Sequence, residues 1–142
     1  MENVLVSTNA LGAGNSRTAL WTGRVLTGLV VTFLLLDAVA KLLMLAPVIE
    51  GTRQLGYAVG VIRPLGVLLV VSTLLHLFPR TQLVGALLLT AYLGGATATH
   101  VRSGTPYWFP VVMGAILWLA YSLRSPGLRA LFLSTQNRDS DR

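Results

Sequence analysis

Asp37 and Lys41 are the pair with the clearest chemical potential in this sequence, because both are ionisable and both lie inside a long apolar segment. Their i,i+4 spacing places them on one face of a helix, where a carboxylate and an ammonium can neutralise each other. An ionisable group near the middle of a membrane helix costs about 2.5–3.5 kcal/mol on insertion scales and by default indicates a function. The pair therefore predicts an acid-base site or the polar wall of a ligand pocket.

Thr97 and His100 lie near the end of a second apolar segment, at a depth that matches the first pair. At about 1.5 Å of rise per helical residue, Asp37 lies about 20 Å and Lys41 about 25 Å beyond the arginine that precedes their segment. On the same scale Thr97 lies about 25 Å and His100 about 30 Å beyond Arg80, the arginine that precedes their segment. We expect these four side chains to form one polar ladder.

Arg63 and Arg102 are placed to complete such a site, since each lies at the end of an apolar segment on the same side as the ladder. In this interpretation Asp37 or His100 exchanges protons, and one of the arginines holds an anionic or carbonyl oxygen. The alternative is structural: Asp37 and Lys41 form an ion pair, Lys41 extends to the lipid headgroups, and His100 lies at the interface. The residues alone leave both interpretations open.

Small residues fill the positions before His100 and offer a surface for close approach. Their i,i+4 spacing is typical of membrane helices that pack closely against a neighbour. One interpretation is close helix packing alone; the other, since the surface is wider than one neighbouring helix needs, is that Gly94 and Gly95 seat a flat apolar ligand or a second protomer. The surface consists of two adjacent rows, Ala91, Gly95 and Thr99 in one and Gly94 and Ala98 in the other.

The two histidines are too far apart in depth to share a metal or haem within one protomer. His76 lies about 6 Å, and His100 about 30 Å, from the turn that joins their segments. Bonds such as Zn–N, at about 2.0–2.1 Å, cannot span that difference. The chain also has no cysteine, so it contains no thiolate ligand and no disulfide. We expect no metal site, and a structural His76 at the cytoplasmic interface.

The elements that carry these residues are apolar segments of membrane-spanning length. The run at 83–101 has no charge and, as a helix, reaches about 28 Å, close to the hydrocarbon thickness of a bilayer. Four such spans are predicted, at about 20–45, 58–78, 82–101 and 107–123, with short connections that make neighbours antiparallel. The predicted fold is an all-α membrane protein: an antiparallel, up-and-down four-helix transmembrane bundle over 20–124, with polar tails at 1–19 and 125–142.

Composition and charge support this fold and predict its orientation. Hydrophobic residues make up 54% of the chain and charged residues only 11%, against about 25% in soluble domains. The net charge of +6 comes from single basic residues at the segment ends, which argues against a nucleic-acid partner. Basic residues are more numerous on the side of the termini, which predicts that both termini are cytoplasmic. That side has Arg17, Arg24, Arg80, Arg124, Arg129, Arg138 and Arg142, and the opposite side has Lys41, Arg53, Arg63 and Arg102.

The block Gly94-Gly95-Ala96-x-Ala98-x-His100-x-Arg102 resembles the DoxX-like family of small bacterial four-span membrane proteins. The resemblance covers about 24–129 and includes Asp37 and Lys41, the Pro79-Arg80-Thr81 turn, and Trp118 with Arg124. It implies a place in the bacterial inner membrane. The family name derives from a subunit of a thiosulfate:quinone oxidoreductase, and related members are proposed as membrane partners in redox and oxidative-stress complexes.

Three functional hypotheses follow from the residues and the resemblance. The first is a redox-associated membrane subunit or module that handles a small apolar, quinone-like molecule. The second is a stand-alone acid-base enzyme acting on a lipophilic substrate, and the third is a scaffold or assembly factor without chemistry. We expect no cofactor in the chain itself, with a quinone as substrate. The expected partners are the lipid bilayer and either a membrane redox protein or a second copy of the chain.

Overall fold

A computed structural model describes the backbone of residues 2–125 and the side chains from Arg17 onward within that range. Every regular element in this range is helical. Three stretches, Arg17–Leu42, Val59–Leu77 and Gln82–Arg102, are long and apolar enough to cross a membrane. The elements in chain order are α1 (Glu2–Leu42), α2 (Ala46–Gln54), a 3-10 helix (Val59–Val61), α3 (Ile62–Leu77), α4 (Gln82–Arg102) and α5 (Trp108–Arg124).

The all-α, membrane-type fold predicted from the sequence is confirmed. Helix α5 is apolar but only 17 residues long, so its role as the fourth antiparallel span stays a prediction. Two predicted segments differ in detail. The stretch expected as a polar N-terminal tail is helical from Glu2, since no proline occurs before Pro47 to end the helix. The expected first loop contains α2, which has Pro47 in its first turn. The predicted C-terminal tail lies outside the described residues after Ser125.

Helices α1, α2 and α4 end in the same hydrogen-bonded turn. In each, the second residue after the helix has a positive φ, and the N–H of the residue that follows it donates to the carbonyl five positions earlier, which is a Schellman motif. Glycine normally occupies the positive-φ position because it has no Cβ. The three residues are Met44 (φ 53°), Gly56 (φ 84°) and Gly104 (φ 66°).

The chain divides into two compact units, which are described separately. The larger unit is Leu29–Leu117, and the smaller contains the start of α1 and the end of α5. In the smaller unit, Gly23 lets α5 approach α1 closely, since a Cβ there would lie 2.9 Å from Cγ of Arg124. Arg124 Nη1 donates to Thr27 Oγ1 at 3.0 Å, and Thr27 donates to the Gly23 carbonyl at 2.7 Å.

The core of the larger unit is formed by apolar side chains from α1, α3, α4 and α5. In a bilayer, lipid tails are as apolar as leucine, so helices associate through close van der Waals packing. This core is therefore a set of well-fitted contacts. It consists of Val30, Leu34, Ala38, Leu69, Leu89, Leu93, Met113 and Leu117.

Helices α3 and α4 meet in backbone contact at Gly85. A Cβ on Gly85 would lie 2.2 Å from the backbone nitrogen of His76 and 2.6 Å from its Cα, so the position accepts only glycine. His76 is fully buried, and its Nδ1 lies 3.2 Å from the carbonyl oxygen of Gln82. His76 is therefore covered by protein, and its expected place at the cytoplasmic interface stays a prediction. The missing Cβ at Gly85 lets α4 approach closely enough to cover the ring.

We expect Gly85→Ala to destabilise the protein and Gly94→Ala to leave it as stable or more stable. Overpacking costs about 1–3 kcal/mol in well-packed interiors, and here the obstacle is backbone that cannot rotate away. A Cβ at Gly94 meets nothing within 4 Å, and alanine improves helix propensity by about 1 kcal/mol. Thermal unfolding in detergent, followed by circular dichroism, measures both. Equal melting temperatures for the two variants would contradict the backbone contact.

Candidate functional site

The larger unit contains a cavity of about 660 Å³, within the range of small-molecule sites. Its walls come from α1, α2, α3, α4 and the connections after α2 and α4. Most of the lining surface is apolar, although half of the lining residues have polar side chains. The lining residues are Asp37, Lys41, Val48, Gly51, Thr52, Gln54, Leu55, Tyr57, Leu65, Leu68, Leu88, Ala91, Tyr92, Gly95, Ala96, Thr99, His100 and Thr105.

Helix α2 closes one end of this cavity. Val48, Gly51, Thr52 and Leu55 all contribute to the lining and follow helical spacing, so they share one face. No residue of α2 is buried, and Arg53 on another face is exposed. An amphipathic helix of this kind covers an apolar space with one side and presents polar groups with the other. Helix α2 is thus the roof of the cavity.

Asp37 and Lys41 form an ion pair on the α1 wall, through Lys41 Nζ and Asp37 Oδ1. The side chain of Lys41 is 14% exposed and that of Asp37 is 31% exposed. Gly66 of α3 allows this placement, because a Cβ there would lie 3.0 Å from Cβ of Lys41 and 3.2 Å from the Ala38 carbonyl. The pairing expected from the i,i+4 spacing is therefore present, and both charges border the cavity.

His100 lies on α4 in the cavity lining and contacts Thr105. Its Nδ1 is 2.8 Å from Thr105 Oγ1, which in turn donates to the His100 carbonyl at 3.3 Å. When the single hydroxyl proton of Thr105 is used in that bond, Nδ1 carries a proton and donates to Thr105. Nε2 is then the ring atom left with a lone pair to accept a proton or a hydrogen bond.

Two tyrosines that the sequence analysis did not single out also line the cavity. Tyr57 lies 2.7 Å from Thr99 Oγ1, and Thr99 donates to the Gly95 carbonyl at 2.9 Å, so Tyr57 is the donor to Thr99. Tyr92 lies on α4 in the same lining as Asp37 and Tyr57. These groups connect the ion pair on α1 with the polar face of α4. The sequence contained one indication that Tyr92 belongs to this site. Tyr92 and Thr99 are seven residues apart, a spacing that places both on one face of a helix.

The connection after α2 is fastened to the end of α4. Arg102 Nη2 donates to the Leu55 carbonyl at 3.2 Å, and Ser103 Oγ donates to the same oxygen at 3.5 Å. Together with the bond between Tyr57 and Thr99, these contacts hold the roof against α4. Arg102 therefore has a structural partner here.

A comparison with protein families identifies this architecture. The model of the DoxX-like family matches residues 25–121, which is more than half of the chain. The chain belongs to the DoxX-like family. No curated protein and no solved structure matches it. The DoxX-like match covers the cavity completely, since every lining residue lies within it.

Of the residues predicted to form the site, Asp37, Lys41, Gly95 and His100 lie together on the DoxX-like cavity. The other four lie outside its lining, and their predicted ligand-binding role stays a prediction. Thr97 donates to the Leu93 carbonyl of its own helix at 2.8 Å. Arg63, Gly94 and Arg102 are exposed, and Arg102 holds the Leu55 carbonyl.

The described residues of this DoxX-like protein contain no group of three or more His, Cys, Asp or Glu side chains placed to hold a metal ion. The ionisable lining residues are instead an ion pair, a single imidazole and two tyrosines. Such a set can donate and accept protons and hydrogen bonds.

We expect Tyr57→Phe to loosen the roof, because it removes the hydrogen bond to Thr99, whose loss costs about 0.5–1.5 kcal/mol. Thr97→Val is the matched control, since it removes a hydroxyl that bonds only within its own helix. The chain has no cysteine, so Thr52→Cys gives a single reporter on the roof. Its alkylation rate is expected to rise with Tyr57→Phe and to stay unchanged with Thr97→Val. Equal rates in both backgrounds would show that the bond does not hold the roof.

Proposed function

We propose that this DoxX-like protein is a redox-associated membrane subunit that holds a small apolar, quinone-like molecule in the cavity. The observation that carries the proposal is a mostly apolar space of about 660 Å³ whose polar groups include a carboxylate, an ammonium and an imidazole. Ligand sites typically combine apolar walls with a small number of placed polar groups. The cavity has both apolar walls and placed polar groups.

The distribution of lining residues fits a molecule with an apolar body and a polar head. Leu65, Leu68 and Leu88 supply apolar wall from α3 and α4. Lys41 and Tyr92 supply hydrogen-bond donors suited to a carbonyl oxygen. One ligand can thus pack its apolar body against the leucines and accept hydrogen bonds at its polar head.

Proton transfer is the chemistry that the chain's own residues can supply. Reduction of a quinone to a quinol takes two electrons and two protons. In the proposal a membrane redox partner delivers the electrons, and Asp37 and His100 exchange the protons. The proposal places the protein in the bacterial inner membrane with both termini cytoplasmic, alone or as a homo-oligomer beside that partner.

A second candidate is an acid-base enzyme that needs no redox partner. It is favoured by the presence of Asp37 and His100 on the same cavity. In this reaction a proton leaves the carbon next to a ligand carbonyl for the Asp37 carboxylate, and a solvent proton returns through His100.

Paired leucine substitutions test the proposed binding site. A Cβ at either Gly94 or Gly95 meets nothing within 4 Å, yet only Gly95 lines the cavity. In nanodiscs, we expect Gly95→Leu to weaken binding of a decyl-substituted benzoquinone at least 10-fold, by filling the space. Gly94→Leu is expected to bind it like the parent protein. Equal binding by both variants, or no quinone binding by the parent, would contradict the proposal, and equal damage to assembly by both would favour a scaffold.

The acid-base alternative has its own measurement. Purified protein in D₂O is incubated with a long-chain methyl ketone, and deuterium uptake next to the carbonyl is followed by mass spectrometry. If the chain is such an enzyme, exchange occurs without a redox partner and falls at least 10-fold in Asp37→Asn and in His100→Gln. Arg63→Gln, at an exposed position outside the lining, is the control and should exchange normally. Exchange no faster than in empty nanodiscs would reject this second function.

A further inference from the structure

We infer that the cavity selects an uncharged ligand with a carbonyl head and rejects permanent anions and cations. The inference deepens the proposed function and rests on it, since it concerns the ligand of the same cavity. It follows from how the charges of the lining are paired.

Two side chains of the lining carry full charges, and they cancel. Asp37 and Lys41 bond to each other on the α1 wall, so their sum at the cavity surface is zero. The remaining polar side chains are hydroxyls, an amide and the imidazole of His100. Among the described residues of the lining, therefore, no aspartate, glutamate, lysine or arginine is left without an opposite charge.

The arginines do not change this balance. Arg53 and Arg63 are exposed and outside the lining, and Arg102 is exposed and bonded to the Leu55 carbonyl. An anionic headgroup would therefore have to bind Lys41. Because the charge of Lys41 is already balanced by Asp37, that contact would add an uncompensated negative charge beside apolar walls, which is strongly unfavourable. A cationic headgroup would meet the same obstacle through Asp37.

A neutral carbonyl meets no such obstacle. The ammonium of Lys41 has three N–H donors, and its bond to Asp37 uses one of them. A second N–H can bond to a ligand carbonyl while the ion pair stays intact. The phenol of Tyr92, which also lines the cavity, is a further hydrogen-bond donor. The ion pair thus offers hydrogen bonds to the polar head of the ligand while its own net charge is zero.

Three probes with the same decyl chain separate these cases: dodecan-2-one, decane-1-sulfonate and decyltrimethylammonium. Binding to the full chain in zwitterionic nanodiscs is measured by calorimetry at pH 8, after subtraction of partition into nanodiscs that hold the Gly95→Leu variant. We expect the ketone to bind the parent protein at least 10-fold more tightly than either ion.

Single substitutions in the pair should reverse the preference. Asp37→Asn leaves Lys41 unpaired and is expected to raise sulfonate affinity at least 10-fold. Lys41→Gln leaves Asp37 unpaired and is expected to raise trimethylammonium affinity in the same way. The double variant Asp37→Asn/Lys41→Gln is neutral again and should prefer the ketone, and Arg53→Gln should behave like the parent.

The outcomes separate this inference from the proposed function. If the parent protein binds the sulfonate or the trimethylammonium as tightly as the ketone, charge selection is wrong while the ligand site stands. If none of the probes binds above the Gly95→Leu background, the ligand site itself is wrong. The comparison on the parent protein decides both points, so a variant that fails to fold does not obscure the result.

Discussion

The close approach of backbones at two glycines is the constraint on which the larger unit depends. Gly85 brings α4 against the backbone of His76, and Gly66 brings α3 against Ala38 and Lys41 of α1. In lipid, the burial of apolar surface does not drive helices to associate. Dense van der Waals packing at such contacts holds the helices together instead. These contacts also fix the walls of the cavity, because Lys41, which lies against Gly66 of α3, is one member of the ion pair.

The cavity has a polar end without a net charge. A lone carboxylate or ammonium in an apolar space would shift toward its neutral form or require a counter-ion. The i,i+4 geometry of α1 supplies that counter-ion within one helix turn, so both groups keep their hydrogen-bonding capacity. Tyr92, Tyr57 and Thr99 extend this polar surface to α4 and to the connection after α2. The chemistry of the site is therefore distributed over three parts of the chain.

Local patterns predicted the helices and the pairing of Asp37 with Lys41, since both follow from spacing along one helix. They did not predict the burial of His76, because the effect of a missing Cβ at Gly85 depends on which helix lies opposite. Helix α2 was missed for a related reason: its nine residues are amphipathic but too short to give a clear period. Tyr57 belongs to a connection whose position is decided by Arg102 and Ser103, far along the sequence. Tertiary contacts alone determine these features.

The Schellman turns that end α1, α2 and α4 have a consequence for how the protein meets the bilayer. Helix ends normally need water or side chains for their last carbonyls. Here part of that need is met by the chain itself, at Met44, Gly56 and Gly104. Exposed, unbonded backbone is not tolerated among acyl chains, but internally bonded backbone is. These three helix ends can therefore lie deeper in the bilayer than helix ends whose last carbonyls depend on water.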